Sequence, residues 1–198
     1  MSVIYHLRDI NLNLVAAWQR YFGDIDTVRV SHGDIFAVEA DAIVSPANSF
    51  GFMDGGIDLI YSLRFGWQLQ NRLRQRLQEE YDGELPVGMA VLMETHDPQI
   101  PYMISAPTMR VPNDVSDTLN AYLAFRATLR LVERFNQANP GAIRTVLCPG
   151  LGTATGNMSP EICARQMHAA HMQIIGGQAW QPRSVNDILL EHHRLLHR

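Results

Sequence analysis

A chain of 198 residues with 46% hydrophobic and 18% charged content reads as one globular domain with a substantial core, which excludes a disordered chain. The net charge of −4 excludes the basic footprint of a general nucleic-acid binder. No apolar run approaches the ~20 residues that cross a bilayer, so no membrane partner is expected.

Val3 to Arg8 reads as a short strand. Asn11 to Phe22 has helical spacing behind an N-cap at Asp9 or Asn11, with Leu12, Val15, Ala16 and the Trp18–Phe22 segment on one face. Thr27 to His32 alternates and is a strand, ended by a turn at Gly33-Asp34. Ala40 to Ser45 is a continuous apolar run, expected of a strand buried on both faces. Ile57 to about Glu80 reads as helix, broken near Gly66. Gly88 to Glu94 and Pro101 to Ala106 read as strands, and Pro107 to Asp117 as a loop holding Arg110. Ser116 is expected to cap a long helix to about Asn136, whose apolar residues Leu119, Leu123, Ala127, Leu131 and Phe135 recur at every fourth position. Ile143 to Cys148 is a buried-type strand. Ser159 as N-cap and Pro160 at the first helical position open a last core helix, which Gly176-Gly177 ends. A short helix is expected after Ser184. The alternation of strands and helices predicts an α/β sandwich with a largely parallel sheet. We expect a single domain over 1–177, with 178–198 as a C-terminal tail.

Composition narrows the chemistry. All 16 basic residues are arginine, which excludes Schiff-base, P-loop and nucleophilic lysines. Two cysteines, Cys148 and Cys163, cannot form a disulfide framework, and the first residues lack a basic stretch leading into a long apolar one. Both features fit a reducing, cytoplasmic location. The cysteines and the methionines Met89, Met93, Met103 and Met109 read as core.

Two loops stand out. Ser45 to Asp58 follows the run Ala42-Ile43-Val44 and contains Asn48, Gly51, Gly55, Gly56 and two aspartates. Pro149 to Gly156 follows a second buried strand and contains three glycines. Each stands where a strand passes into a helix, so amides and the positive helix end converge on an anion. Two such loops at strand carboxyl ends suit a diphosphate in a shared crevice; the alternative is that both are tight turns. Gly150, Gly152 and Gly156 also suggest a dinucleotide fingerprint, but no acidic residue follows at the distance that holds a ribose.

Gly33-Asp34-Ile35, Asp41 through Asn48, Gly55-Gly56-Ile57-Asp58 and Pro149 through Gly156 together resemble the macro domain family in order and spacing, over about Val28 to Ile175. The resemblance implies a three-layer α/β/α sandwich, with a mixed sheet of about six strands and a crevice for ADP-ribose. It places Asp34, with Ile35 beside it, at the adenine amine. Gly55, Gly56 and Ile57 fall on one side of the diphosphate, and Gly152, Thr153, Ala154, Thr155 and Gly156 on the other. Asn48 would orient the distal ribose and Asp58 assist water attack at its anomeric carbon, the pattern of hydrolytic members. The function implied is binding of ADP-ribose with hydrolysis of a conjugate: an ADP-ribosyl ester on protein, an O-acyl-ADP-ribose or ADP-ribose 1″-phosphate. No cofactor or metal is implied. The alternative is a binding module without turnover.

Simpler roles stand beside these. Asp34 suits a turn or helix cap, and Asp58 a helix N-terminus, worth ~0.3–1 kcal/mol through the dipole. Arg110 suits either a phosphate contact or an ion pair with Asp114 or Asp117. Phe52, Met53 and Asp54 replace the small residues usual before the Gly-Ile-Asp segment. The late loop lacks the aromatic that covers the ribose in some members, a part left to Phe50 or Phe52. His192, His193 and His197, and separately Arg72, Arg74, Arg76, Glu79 and Glu80, read as solvated helix faces.

Overall fold

The computed structural model describes residues 2–178 and 180–197. The elements follow the order β1 (Ile4–Asp9), α1 (Leu12–Phe22), β2 (Val28–His32), β3 (Ala42–Ser45), α2 (Gly56–Phe65), α3 (Gln68–Glu80), β4 (Val91–Glu94), β5 (Tyr102–Ser105), α4 (Asn120–Ala138), β6 (Thr145–Cys148), α5 (Pro160–Ile174) and α6 (Val185–Leu196). Among the described residues the sheet has six strands in the order β2-β1-β6-β3-β5-β4. All neighbours are parallel except β4, which runs antiparallel to β5 at the edge.

Successive strand residues face opposite layers. Ala42, Val44, Val146 and Cys148 pack with α1, α4 and α5, whereas Ile43, Met103 and Leu147 pack with α2 and α3. Side chains buried on both faces explain the unbroken apolar runs, and the result is the expected α/β/α sandwich. No helix among the described residues is long and apolar enough to cross a membrane.

Local chemistry sets most boundaries. Asn11 caps α1 by accepting from the amides of Asn13 and Leu14. Ser159 caps α5, with Pro160 opening the helix. Ser184 and Asp187 form a reciprocal capping box on α6, within the expected tail. Gly66, at φ 87°, separates α2 from α3. Both cysteines are buried and free.

Several expectations fail. In α1 the buried residues are Leu14, Val15, Ala17, Trp18 and Phe22, and Leu12 is exposed. Ser116 does not cap α4; its hydroxyl bonds Asp114 and the helix begins four residues later without a side-chain cap. The buried face of α4 is Ala121, Ala124, Phe125, Thr128, Leu129 and Val132. The fourfold stripe from Leu123 to Phe135 is only half-buried, because α4 carries two apolar faces and the longer aliphatic run was not the one facing the sheet. The strand expected from Gly88 starts at Val91, after the turn in which the Met89 amide bonds the Pro86 carbonyl. Met89 is exposed, unlike Met93, Met103 and Met109. Arg72 and Arg76 are not merely solvated, since each donates to a β4 carbonyl.

Asp41 joins the two central strands at their origin. Its carboxylate accepts from the amides of Arg144 and Thr145 at 2.7 and 2.9 Å, while its own amide donates to Thr145 Oγ1. Asp41→Ala leaves those amides without their acceptor. The expected cost is about 1–3 kcal/mol, read as a lowered urea midpoint with unchanged slope.

Candidate functional site

Because β6 lies beside β3 at the centre of the sheet, the loops leaving their carboxyl ends are neighbours. Three loops form one frame there. Ser49 N–H donates to Met109 O at 3.1 Å and Thr108 N–H to Ala47 O at 3.0 Å, tying the opening loop to the 107–117 loop. Val115 N–H donates to Gly156 O at 2.8 Å, and Asn157 Nδ2 to Asp114 Oδ2 at 3.0 Å, tying that loop to the late one. Asp9, at the end of β1, accepts the Gly150 amide at 3.0 Å.

Beyond Gly150 and Leu151 the amides open. Those of Gly152, Thr153, Ala154, Thr155 and Gly156 have no hydrogen-bond partner among the described residues. The same holds for Gly55, Gly56, Ile57 and Asp58 at the N-terminus of α2. Gly152 has φ 73°, and a Cβ at Gly156 would stand 2.5 Å from Val115 Cγ2, so the late loop packs too closely for larger residues there. At Gly55 and Gly56 a Cβ would meet nothing within 4 Å. The space over this helix end is therefore open.

Asp58 lies beneath that helix end. It is buried, and its Oδ1 accepts from Ser45 Oγ at 2.6 Å, while Oδ2 has no partner among the described residues. Burial pushes its carboxyl up to about 6, with the Ser45 hydrogen bond pulling the other way. Desolvation thus outweighs the dipole benefit weighed from sequence. Asn48 fastens its own loop: Nδ2 donates to Phe52 O at 2.8 Å, and Oδ1 accepts from the amides of Phe50 and Phe52.

Asp34 caps the short 3-10 turn Ile35–Ala37 through Oδ1, which accepts the Phe36 amide at 2.9 Å. It is exposed, while Ile35 is buried. Arg110 pairs with Glu84 at 2.7 and 2.9 Å, not with Asp114 or Asp117; Asp114 instead bonds Ser116 and Asn157. The Arg110 guanidinium also lies 5.0 Å from the Phe50 ring centroid, and Arg74 covers Phe52 at 4.2 Å. Met53 is fully buried and Asp54 exposed. Among the described residues no group of three His, Cys, Asp or Glu side chains is placed to hold a metal.

Sequence reasoning missed Ser45, Asp9, Glu84 and Val115. Ser45 carried a signal, as the polar end of an otherwise apolar strand. The others act across sequence separations that no local pattern reveals.

A family model described as Macro domain matches residues 44–167. The chain belongs to the macro domain family. It is 32% identical over 140 residues to an uncharacterized protein of Aquifex aeolicus, covering 71% of this chain and 78% of that one. It is also 32% identical over 129 residues to a macro domain-containing protein of Streptomyces nogalater, covering 64% and 67%. Similar folds include the macrodomain of Mycobacterium tuberculosis DarG, with TM-score 0.60 and 21% identity over 72% of this chain and 88% of that one. The Oceanobacillus iheyensis macrodomain with ADP gives 0.58 and 21% over 71% and 72%. A variant of that macrodomain was solved with ADPR, and gives 0.58 and 18% over 71% and 74%.

The buried carboxyl has a measurable consequence. A folded pKa of about 6 against 3.8 unfolded favours the protonated fold, so this stabilisation is complete below pH 3.8 and is lost as pH rises through about 6. Asp58→Asn, which keeps an oxygen for Ser45, is expected to be more stable than wild type at pH 7.5 by on the order of 1–3 kcal/mol. The gain should close near pH 4, as measured by denaturant unfolding at both pH values.

Proposed function

We propose that this macro domain binds ADP-ribose between its two open-amide loops and hydrolyses an ADP-ribose conjugate. The observation that carries the reading is the pairing of the loops: nine amides, in the loop after β6 and at the start of α2, have no partner among the described residues, and a Cβ at Gly55 or Gly56 meets nothing within 4 Å. A diphosphate supplies acceptors to both sets at once, and the α2 dipole favours its charge. Asp34 keeps Oδ2 for the adenine amine while Oδ1 caps its turn. The structures solved with ADP and ADPR in this fold support the same ligand.

For turnover, Asp58 is the general base. A carboxyl held near 6 is largely ionised at neutral pH yet basic enough to take a proton from water attacking the anomeric carbon. Ser45 positions it through Oδ1 and leaves Oδ2 for the proton. Asn48 shapes the wall against which the distal ribose lies. Hydrogen bonding to a ribose hydroxyl would need its Nδ2 to release Phe52 O. Candidate substrates are ADP-ribosyl esters on protein, O-acyl-ADP-ribose and ADP-ribose 1″-phosphate.

One observation favours the second reading, a binding module without turnover. Both ends of the Asn48 amide are engaged within its loop.

Calorimetry with ADP-ribose tests the ligand. Gly55→Val tolerates its extended backbone (φ −144°) but fills the open space, so ADP-ribose binding should be lost while the melting temperature holds. Unchanged affinity in Gly55→Val, or no binding by wild type, overturns the site. Turnover of ADP-ribosylated protein and of O-acetyl-ADP-ribose separates the two readings. If wild type hydrolyses either, Asp58→Ala should lower kcat by about a hundredfold or more, and the wild-type rate should rise with pH through about 6. Tight binding with no turnover assigns the module.

A further inference from the structure

A large cavity lies away from the loop frame. It is an open groove of about 1360 Å³ running along the outer edge of β4, between α3 and α4. Arg72 and Arg76 line it from α3, and Arg126, Arg130 and Arg134 from α4. A spacing of four places the last three in one row along their helix, about 6 Å apart. None of these three has an ion-pair or hydrogen-bond partner among the described residues. Glu94 is the one carboxylate among the described lining residues. Arg76 also pairs with Glu80 at 3.0 Å; in a chain of net charge −4, five arginines against these two carboxylates still leave a concentrated positive field.

The floor is aliphatic. Leu92 from β4 and Leu131 from α4 lie in it, and Met89 stands 42% exposed at one end. Leu131 belongs to the fourfold stripe of α4 that stays half-buried. The edge itself is modified. β4 pairs with β5 along one side only, and two of its carbonyls, those of Leu92 and Glu94, are taken by α3. Their carbonyls accept from Arg76 Nη1 and Arg72 Nη2, both at 2.6 Å. An edge whose outward carbonyls are taken has few acceptors left. It blocks simple strand addition, which needs both donors and acceptors.

We propose that this groove binds an acidic, amphipathic segment of a partner protein, with carboxylates on the two arginine rows and aliphatic side chains on the floor. Guanidinium forks match carboxylates bidentately, and the aliphatic floor distinguishes such a segment from a nucleic acid. The aromatic pair in the groove, Tyr102 and Phe135, packs edge to face at 5.5 Å rather than standing as a free platform for bases. This surface is independent of the ADP-ribose reading, since none of its lining residues belongs to the two open-amide loops.

The test is fluorescence anisotropy of the full chain with a labelled, short random copolymer of glutamate and leucine, which presents the chemistry without a chosen sequence. Binding should saturate, weaken with salt, and fall by about tenfold or more in R126E/R130E/R134E. ADP-ribose affinity should be the same in both proteins. Should the triple variant melt early, R130A/R134A, at two exposed positions, carries the same comparison. No binding by wild type, or equal binding by the variants, overturns the proposal. So does tighter binding of a labelled oligothymidylate than of the copolymer, which assigns the groove to nucleic acid.

Discussion

Backbone amides at the ends of β3 and β6 must find acceptors, and the chain supplies them only up to a point. Asp41 takes the amides of Arg144 and Thr145 where β6 begins. Asp9 takes that of Gly150 where the late loop begins. From Gly152 to Gly156, and from Gly55 to Asp58, the described residues supply none. Each open amide is left to solvent or to a ligand with several closely spaced acceptors. The central adjacency of β3 and β6 brings two separate strand–helix junctions to the same end of the sheet. The bonds from Ser49, Val115 and Asn157 hold the three loops in fixed relation, so little ordering remains to be done when a ligand arrives.

Asp58 works against this stability. A carboxylate under a helix N-terminus usually helps the fold by a few tenths of a kcal/mol to about one. Here it is buried deeply enough that desolvation wins and the carboxyl rises to about 6. Ser45, itself fully buried, supplies a single hydrogen bond. A core built for stability alone would place an uncharged residue there. A buried carboxyl raised by desolvation at a helix start is the kind of costly placement that the proposed role as a proton acceptor would explain.

The fold was largely legible because its signals are local. Unbroken apolar runs marked β3 and β6, caps at Ser159 and Ser184 marked helix starts, and Gly66 marked a break. The frame of the site was legible as two glycine loops and a resemblance. What escaped was long-range or ambiguous in period. Glu84 captures Arg110 from 26 residues away, whereas local spacing points to near neighbours such as Asp114. The Asn48 side chain bonds Phe50 and Phe52 within its own loop, a contact that its motif does not announce. In α4 the fourfold stripe was the stronger pattern, yet the sheet buries the adjacent face, because Ala121, Ala124 and Thr128 are small enough to allow close approach.

That second face of α4 connects periodicity to charge. An apolar stripe left half-buried costs free energy unless something else covers it. Arg126, Arg130 and Arg134 lie beside it, and their aliphatic stems shield part of it while their charged ends reach solvent. On the readings proposed here, the two anion-directed surfaces rest on different physics. At the loop frame, neutral amides and a helix dipole act over one turn, with shape selecting the ligand. Along β4, full charges act over about a Debye length and select for sign before shape. An all-arginine basic set suits that division, because guanidinium groups can cap the β4 carbonyls and still present donors outward.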